Sequence, residues 1–258
     1  MPCYHPLQGF RSRDVDPKTG RRPIVFNVAR GYRDLPVTLP CGQCVGCRLE
    51  RSRQWAMRCV HEASLYEDNC FITLTYDDVH LPRDGSLDVR EYQLFMKRLR
   101  FRYRPTRIRF FHCGEYGERR GRPHYHACLF NHDFADRVFW SQRDDVKLYV
   151  SAALQELWPF GFSTVGNVTF ESAAYVARYI MKKVTGEAAE EHYGGRKPEY
   201  TTMSRRPGIG KGWYEKWNSD VFPRDTVVLR GKAMRPPKYY DRQFELDAAK
   251  DFMYMRGR

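Results

Sequence analysis

The chain has 258 residues, 42% of them hydrophobic and 15% aromatic, with a formal net charge of +13 and eight cysteines. That composition supports a folded core and excludes global disorder, and the length allows one substantial domain with appendages or two small ones. No apolar run approaches the ~20 residues that cross a bilayer, and the start lacks a secretory apolar core. No membrane role is therefore expected, and the expected location is a cytoplasm, where cysteines read as thiols or metal ligands more than disulfides. The basic excess calls for a polyanionic partner, either nucleic acid or an anionic membrane surface.

Residues 1–40 are rich in Pro, Gly and Arg and read as a loop-rich arm with short extended pieces such as 24–28. Cys41-Gly42-Gln43-Cys44-Val45-Gly46-Cys47 then repeats Cys-x-x-Cys spacing twice, with glycines that let the backbone turn tightly around an ion. Three thiolates lie there, and a structural Zn²⁺ needs four ligands. Cys3 is the choice for the fourth, with His5 and Cys59 as rivals, against the plainer reading of free thiols or a redox pair. A metal would explain how an arm with so little core stays folded.

Residues 48–66 read as a helix with a partial apolar face and a basic remainder that includes Arg48, Arg51, Arg53 and Arg58. Cys70-Phe71-Ile72-Thr73-Leu74-Thr75-Tyr76 is a strand of β-branched and aromatic residues. Asp88 and Glu91 resemble a capping box opening a helix over 88–103, with Leu94, Phe95 and Leu99 as its buried side. Its outer face mixes Lys97, Arg98, Arg100, Arg102 and Arg104 with Tyr92, Phe101 and Tyr103, a blend suited to single-stranded nucleic acid.

A strand over 108–114 runs into Glu115, and a glycine-containing link with Arg122 leads to a second strand over 123–130. The short link implies an antiparallel hairpin. Side chains alternate along a strand, so His124 and His126 project from one face, placed to grip one ion. Neighbouring strands lie ~4.8 Å apart, which puts Glu115 within reach. His112 is the competing ligand if the register allows, and Glu118 a weaker one. A His, His, Glu set suits a divalent ion acting on phosphate oxygen.

A polar stretch after Asp133 leads into an expected helix over 145–158, followed by a strand pair or bulged strand within 161–170. The helix over 171–184 places Tyr175 and Tyr179 as neighbours at i and i+4, with Arg178 and Lys182 three residues beyond each. A phenol is a poor nucleophile unless charge or a polarised phosphate helps it, so alone the pair reads as packing aromatics. Residues 186–200 read as a mobile loop. The run 205–212 lacks true phosphate-loop spacing. Trp213, Tyr214 and Trp217 read as packing for the tail, with the glycine-rich basic part as a DNA candidate.

Three motifs in this order resemble the His-hydrophobic-His (HUH) endonucleases that start rolling-circle replication. They are Phe71–Tyr76, Pro123-His124-Tyr125-His126 and Tyr175–Lys183, and the run 41–62 is similar to the N-terminal signature of the initiators of small single-stranded DNA microviruses, the gokushovirus type. The resemblance spans residues 1–186 and implies an α+β HUH fold: a central five-stranded antiparallel sheet flanked by helices in a β-α-β-β-α-β-α order. A Cys-rich N-terminal arm (1–66), a nicking domain (67–186) and an irregular C-terminal extension (187–258) follow from it.

The resemblance further implies Mg²⁺ or Mn²⁺ on His124, His126 and Glu115, and attack by Tyr175 or Tyr179 on a scissile phosphate. The product would be a 5′-phosphotyrosine link and a free 3′-OH. Arg178 and Lys182 would bind phosphate or steady the phenolate, and Lys183 would face DNA or solvent. Arg48, Arg51, Arg53, Lys97, Arg100 and Arg122 would contact DNA. Partners would be a single-stranded or supercoiled viral origin with a host helicase and polymerase, in the bacterial cytoplasm. The rival readings are a relaxase or transposase of the same chemistry, a non-catalytic zinc-stabilised binding protein, and a zinc hydrolase that uses water.

Overall fold

The structure, a computed structural model, describes residues 3–17, 20–117, 121–143, 145–182, 184, 188–222 and 224–256; for 143, 179–182, 188 and 249–256 only the backbone is described. The chain divides into two compact units, Met1–Arg51 and Ser52–Arg258.

The first unit holds a small antiparallel sheet of β1 (Leu7–Ser12), β2 (Ile24–Val25) and β3 (Gly31–Leu39), in the order β2-β1-β3. It is more regular than the loop-rich arm expected, because its strands pack through glycine instead of apolar side chains. A Cβ at Gly31 would stand 2.4 Å from Phe10 Cβ, and one at Gly9 would stand 2.7 Å from Ile24 Cγ2. Among the described residues of this unit no large apolar side chain is buried, while Phe26, Leu35 and Leu7 are exposed. Hydrophobic burial of ~25 cal/mol per Å² therefore contributes little here, and the unit depends on another restraint.

After α1 (Val45–Ala63) the order is β4 (Asn69–Thr75), α2 (Val89–Arg102), β5 (Arg109–Tyr116), β6 (Pro123–Phe130), β7 (Val138–Arg143), β8 (Val146–Val150), α3 (Ala152–Leu157), β9 (Ser163–Gly166) and α4 (Phe170–Lys182). There follow α5 (Ala188–Tyr193), β10 (Tyr200–Met203), α6 (Lys211–Val221), β11 (Val227–Leu229), β12 (Lys232–Met234) and α7 (Lys238–Arg256). Seven strands form one antiparallel sheet in the order β10-β5-β6-β4-β9-β8-β7. Its centre is the expected set of four, β5, β6, β4 and β9.

The sheet has a core on each face, as strand alternation requires. On one face Ile72, Leu74, Tyr125, Ala127 and Leu129 pack against Tyr92, Phe95, Met96 and Leu99 of α2 and against Trp158. On the other, Phe111, Cys113, Cys128 and Phe130 pack against Ala56 and Cys59 of α1, Ala173, Val176 and Ala177 of α4, and Ile209. The α2 helix starts at Asp88, whose side chain accepts from Arg90 N. Glu91 does not complete the capping box: its carboxylate accepts from the Tyr76 hydroxyl. Leu94 lies on the exposed side, and Tyr92 and Met96 take the buried places.

The stretch expected as a helix over 145–158 is split: β8, which pairs with β7 in a hairpin, takes its first part, and α3 is its only helical part. Val138, Phe139, Trp140, Val146 and Val150 favour strands, and Ser151 starts the helix late by accepting from Leu154 N at 3.0 Å. This hairpin widens the sheet beyond the five strands implied by resemblance. The other edge is widened by β10, which starts where the loop expected over 186–200 ends, and that loop itself contains α5. Within the C-terminal extension the regular elements are α6, the β11–β12 hairpin and α7.

The glycine-rich run 205–212 is held by its backbone. Glu62 pairs with Arg109, both nearly fully buried, and its second oxygen accepts from Gly210 N at 2.7 Å. Arg109 Nη2 donates to Pro207 O at 2.9 Å, and Arg58 Nε donates to Ile209 O at 2.9 Å. Trp213 stacks on His61 with ring centroids 3.6 Å apart, and His61 Nδ1 lies 2.8 Å from the buried Tyr240 hydroxyl. Trp217 is the exposed one of the three aromatics read as packing.

Two stability predictions follow from these buried groups. Glu62→Gln leaves the Arg109 charge buried and unpaired, so urea unfolding should show a loss of about 3–5 kcal/mol. Burial pushes the His61 pKa down to about 4, from 6.5 in an exposed ring. The unfolded state therefore binds the extra proton first, and stability falls as pH drops from 6.5 toward 4, at about 1.4 kcal/mol per unit. Urea midpoints at pH 7 and pH 5 should show that slope, and His61→Phe should flatten it.

Candidate active site

The site grows from the hairpin register. Glu115 on β5 stands opposite His124 on β6, and Cys113 opposite His126; across the other edge of β6, Thr75 faces His124 and Thr73 faces His126. Directly opposed residues share a face, so both imidazoles, the carboxylate and the two threonines line one side of the sheet. His112 falls on the opposite side. It is fully buried, its ring stacked on Tyr92 with centroids 3.3 Å apart and its Nδ1 2.9 Å from Thr202 Oγ1. The register thus removes it as the competing ligand. Glu118 lies outside the described residues.

Each histidine is fixed by its second nitrogen. His126 Nδ1 lies 2.9 Å from Thr73 Oγ1, and its Nε2 is 2.7 Å from Glu115 Oε1. His124 Nδ1 donates to the Arg122 carbonyl at 2.7 Å, which leaves Nε2 as the lone-pair nitrogen of the neutral ring. Burial is the main influence on His124 and moves its pKa below the usual value, favouring that neutral form. The two rings are parallel within 3°, their centroids 6.4 Å apart. Gly117 permits the close turn here, since a Cβ on it would stand 2.9 Å from His124 Cε1. Two imidazoles and a buried carboxylate on one face are a mixed nitrogen and oxygen donor set of the kind that divalent ions take. The set is more open than the cysteine group described below.

The helix α4 brings a phenol to this point. Thr169 Oγ1 accepts from Ser172 N at 3.1 Å, and Ser172 Oγ accepts from Thr169 N at 2.8 Å, a reciprocal cap that fixes the helix start. Ala173, Ala174, Val176 and Ala177 are buried, and their small side chains let the helix lie close on β5 and β6. Tyr175 is 37% exposed, and its hydroxyl donates to Glu115 Oε1 at 3.0 Å. Its ring also meets His126 edge-on, with centroids 5.1 Å apart. A solvent-reachable phenol, a carboxylate and an imidazole therefore meet at one oxygen atom.

A family profile described as "Replication-associated protein ORF2/G2P" matches residues 69–184, the stretch that holds all of these groups. Over 254 residues the chain is 35% identical to "Replication-associated protein VP4" of Bdellovibrio phage phiMH2K, covering 93% of this chain and 76% of that one. It is 34% identical to "Replication-associated protein ORF2" of Spiroplasma virus 4, covering 98% and 83%. A third relative, "Replication-associated protein ORF4" of Chlamydia phage 1, is 32% identical over 78% of this chain and 52% of its own length. The chain belongs to the microvirus replication-associated proteins, a family of rolling-circle initiators. No solved structure gives a significant match.

Other residues singled out in this family member fall as follows. Arg178 is exposed one turn beyond Tyr175. The backbones of Tyr179 and Lys182 belong to α4, but their side chains, and Lys183 entirely, lie outside the described residues. Arg122 pairs with Asp78, Arg53 Nη1 donates to Arg235 O at 3.2 Å, and Arg100 donates through Nε and Nη2 to Ile108 O. Lys97 and Arg51 are exposed, and Arg48 is half-buried. Thr73 and Gly117 were not singled out from sequence. Alternation along 70–76 places Thr73 and Thr75 on one face, a signal that could have flagged Thr73 once its partner strand was known.

In the first unit Cys3, Cys41, Cys44 and Cys47 bring their sulfurs within 4.8 Å of one another, a group able to hold a metal such as zinc. Cys59, a rival for the fourth place, is instead fully buried between α1 and the sheet, where burial pushes its thiol pKa up. Backbone N–H groups point at the sulfurs: Tyr4 N at Cys44 Sγ (3.4 Å), Cys44 N at Cys41 Sγ (3.3 Å) and Cys41 N at Cys3 Sγ (3.3 Å). Donation from Cys47 N and then Tyr4 N pulls Cys44 down to about 6, and N–H groups of Cys44 and Gln43 lower Cys41. Cys47 is pushed up to about 12, mainly by loss of solvent. Metal uptake would release the remaining thiol protons. Purified protein should carry about one Zn²⁺ per chain by mass spectrometry under native conditions, and Cys44→Ser should lose it.

Proposed function

We propose that this initiator nicks and rejoins single-stranded DNA at the viral origin through a 5′-phosphotyrosine intermediate, using residues 67–186 as the nicking domain. The observation that carries the reading is the Tyr175 hydroxyl donating at 3.0 Å to Glu115, whose same oxygen lies 2.7 Å from His126 Nε2. The phenol, the carboxylate and His126 meet at one point, and His124 shares their face, beside which one phosphate would sit.

His124, His126 and Glu115 would hold Mg²⁺ or Mn²⁺, which when bound supplies Lewis-acid polarisation of the scissile phosphate. Tyr175 Oη forms the new bond to phosphorus, and the bond from phosphorus to the 3′ oxygen breaks. The phenol proton leaves along its hydrogen bond to Glu115, and the 3′ oxygen takes up a proton to become the primer hydroxyl. One phosphodiester replaces another, so the cut conserves the energy needed for joining. Thr73 holds the His126 ring, and the Arg122 carbonyl holds His124. Arg178 and Lys182 neutralise phosphate charge, and Tyr179 acts as the alternate nucleophile that cuts the regenerated origin.

Arg48, Arg51, Arg53, Lys97, Arg100, Arg122 and Lys183 contact DNA phosphates, and the +13 charge supports such contacts. Zn²⁺ in the four-cysteine set staples the first unit, which buries no large apolar side chain among its described residues. A host helicase and polymerase complete replication in the bacterial cytoplasm; no helix among the described residues is long and apolar enough to cross a membrane.

The decisive experiment is a denaturing-gel adduct assay on viral single-stranded DNA with Mn²⁺ or chelator. A metal-dependent adduct mapping to Tyr175 or Tyr179, lost in the double Phe variant, is the expected result. Cleavage that survives in that variant without an adduct would overturn the tyrosine mechanism in favour of water attack. Thr73→Val should lower the nicking rate about 10–100-fold by loosening His126, with added Mn²⁺ restoring part of it.

A further inference from the structure

The outer face of α2 carries a feature that the nicking centre does not use. Lys97, Arg98, Arg100, Phe101 and Arg104 line a groove of about 500 Å³. Lys97 and Phe101 lie one turn apart on α2, and Arg104 follows just past its C-terminal end. Phe101 is 68% exposed, an unusual state for a phenyl ring of a folded chain, and the Arg104 guanidinium sits 4.7 Å above it. An arginine over a ring extends the flat surface on which a base can stack.

The charge of this segment of the sequence is equally one-sided. From Tyr92 to Gly114 the sequence holds seven Lys or Arg and no carboxylate. Several of these cations already have partners: Arg98 donates to Leu157 O, Arg100 to Ile108 O, and Arg102 pairs with Glu156. Arg109 is taken by Glu62. Among the described residues, no carboxylate pairs with Lys97 or Arg104. The α2 helix packs on the face of the sheet that carries Tyr125 and Leu129, whereas His124, His126 and α4 occupy the other. A full helix-plus-sheet thickness therefore separates this groove from the tyrosine site.

We propose that the α2 groove is a second single-stranded DNA site, with Phe101 as its stacking platform and Lys97 and Arg104 as its phosphate contacts. It holds strand that lies outside the nicking centre, so a bound origin engages both faces of the sheet. The proposal rests on the reading above only in taking DNA as the partner.

The test is anisotropy titration of full-length protein with a labelled 30-nucleotide oligo-dT and with a 30-base-pair duplex. Phe101→Ala should weaken oligo-dT binding about 5–50-fold, with a much smaller effect on duplex, and Phe101→Tyr should restore it. Arg104→Gln should reduce the slope of log affinity against log salt by about 0.7. Unchanged oligo-dT affinity in Phe101→Ala, or equal losses on duplex and single strand, would overturn the stacking site. Phe101 is exposed, so its melting temperature serves as the folding check. No adduct from the unaltered protein on viral single-stranded DNA with Mn²⁺ would defeat the nicking reading and leave the groove standing.

Discussion

One pairing register governs this molecule: β5 runs antiparallel to β6 so that Glu115 lies across from His124. A strand's side chains alternate, so a slip of one residue would send Glu115 to the far face and bring His112 forward. The register is held from both sides of the sheet. On one, Tyr125, Ala127 and Leu129 are buried under α2; on the other, Cys128 and Phe130 are buried beneath α1 and α4. With both faces packed, no alternative pairing keeps the apolar residues inside.

The proposed chemistry uses that rigidity. A phenol must approach a ligated phosphate with little freedom, and α4 is laid onto the sheet by alanines instead of bulky residues. The reciprocal Thr169–Ser172 cap sets where the helix begins, and hence which residue lies above Glu115. Around the hairpin, Thr73 and the Arg122 carbonyl fix the imidazole rings from behind. The C-terminal elements support the same assembly from a distance. Glu62 and Arg109 tie the run 205–212 to the sheet face on which α1 and α4 lie, and β10 covers the outer edge of β5. The first unit follows a different principle: glycine contacts and a four-thiol group stand where a hydrophobic core would otherwise be.

Motif order in the sequence was sufficient to place the chain among the rolling-circle initiators, and its relatives bear that out. The histidine strand, the first strand and the tyrosine helix were legible because local patterns carry them: alternation around His124 and His126, β-branched residues over 70–76, and helical spacing from Tyr175 to Lys183. Legibility failed where tertiary contacts outweighed local preference. The stretch ending at Trp158 contains helix formers, yet Val138 to Val150 forms a hairpin because the sheet offers it an edge. Glu91 looks like a capping residue in sequence, but the Tyr76 hydroxyl claims its carboxylate.

The sequence by itself determined which residues have the right chemistry: two imidazoles on one strand face, nearby acids, a tyrosine helix and four cysteines. These follow from residue type and from the fixed periods of strand and helix, which need no long-range information. Only the tertiary structure put Glu115 and not His112 on the histidine face, gathered Cys3 and not Cys59 with the other three sulfurs, and brought Tyr175 to the carboxylate. Those outcomes depend on strand register and helix docking, which are set by burial across the whole fold.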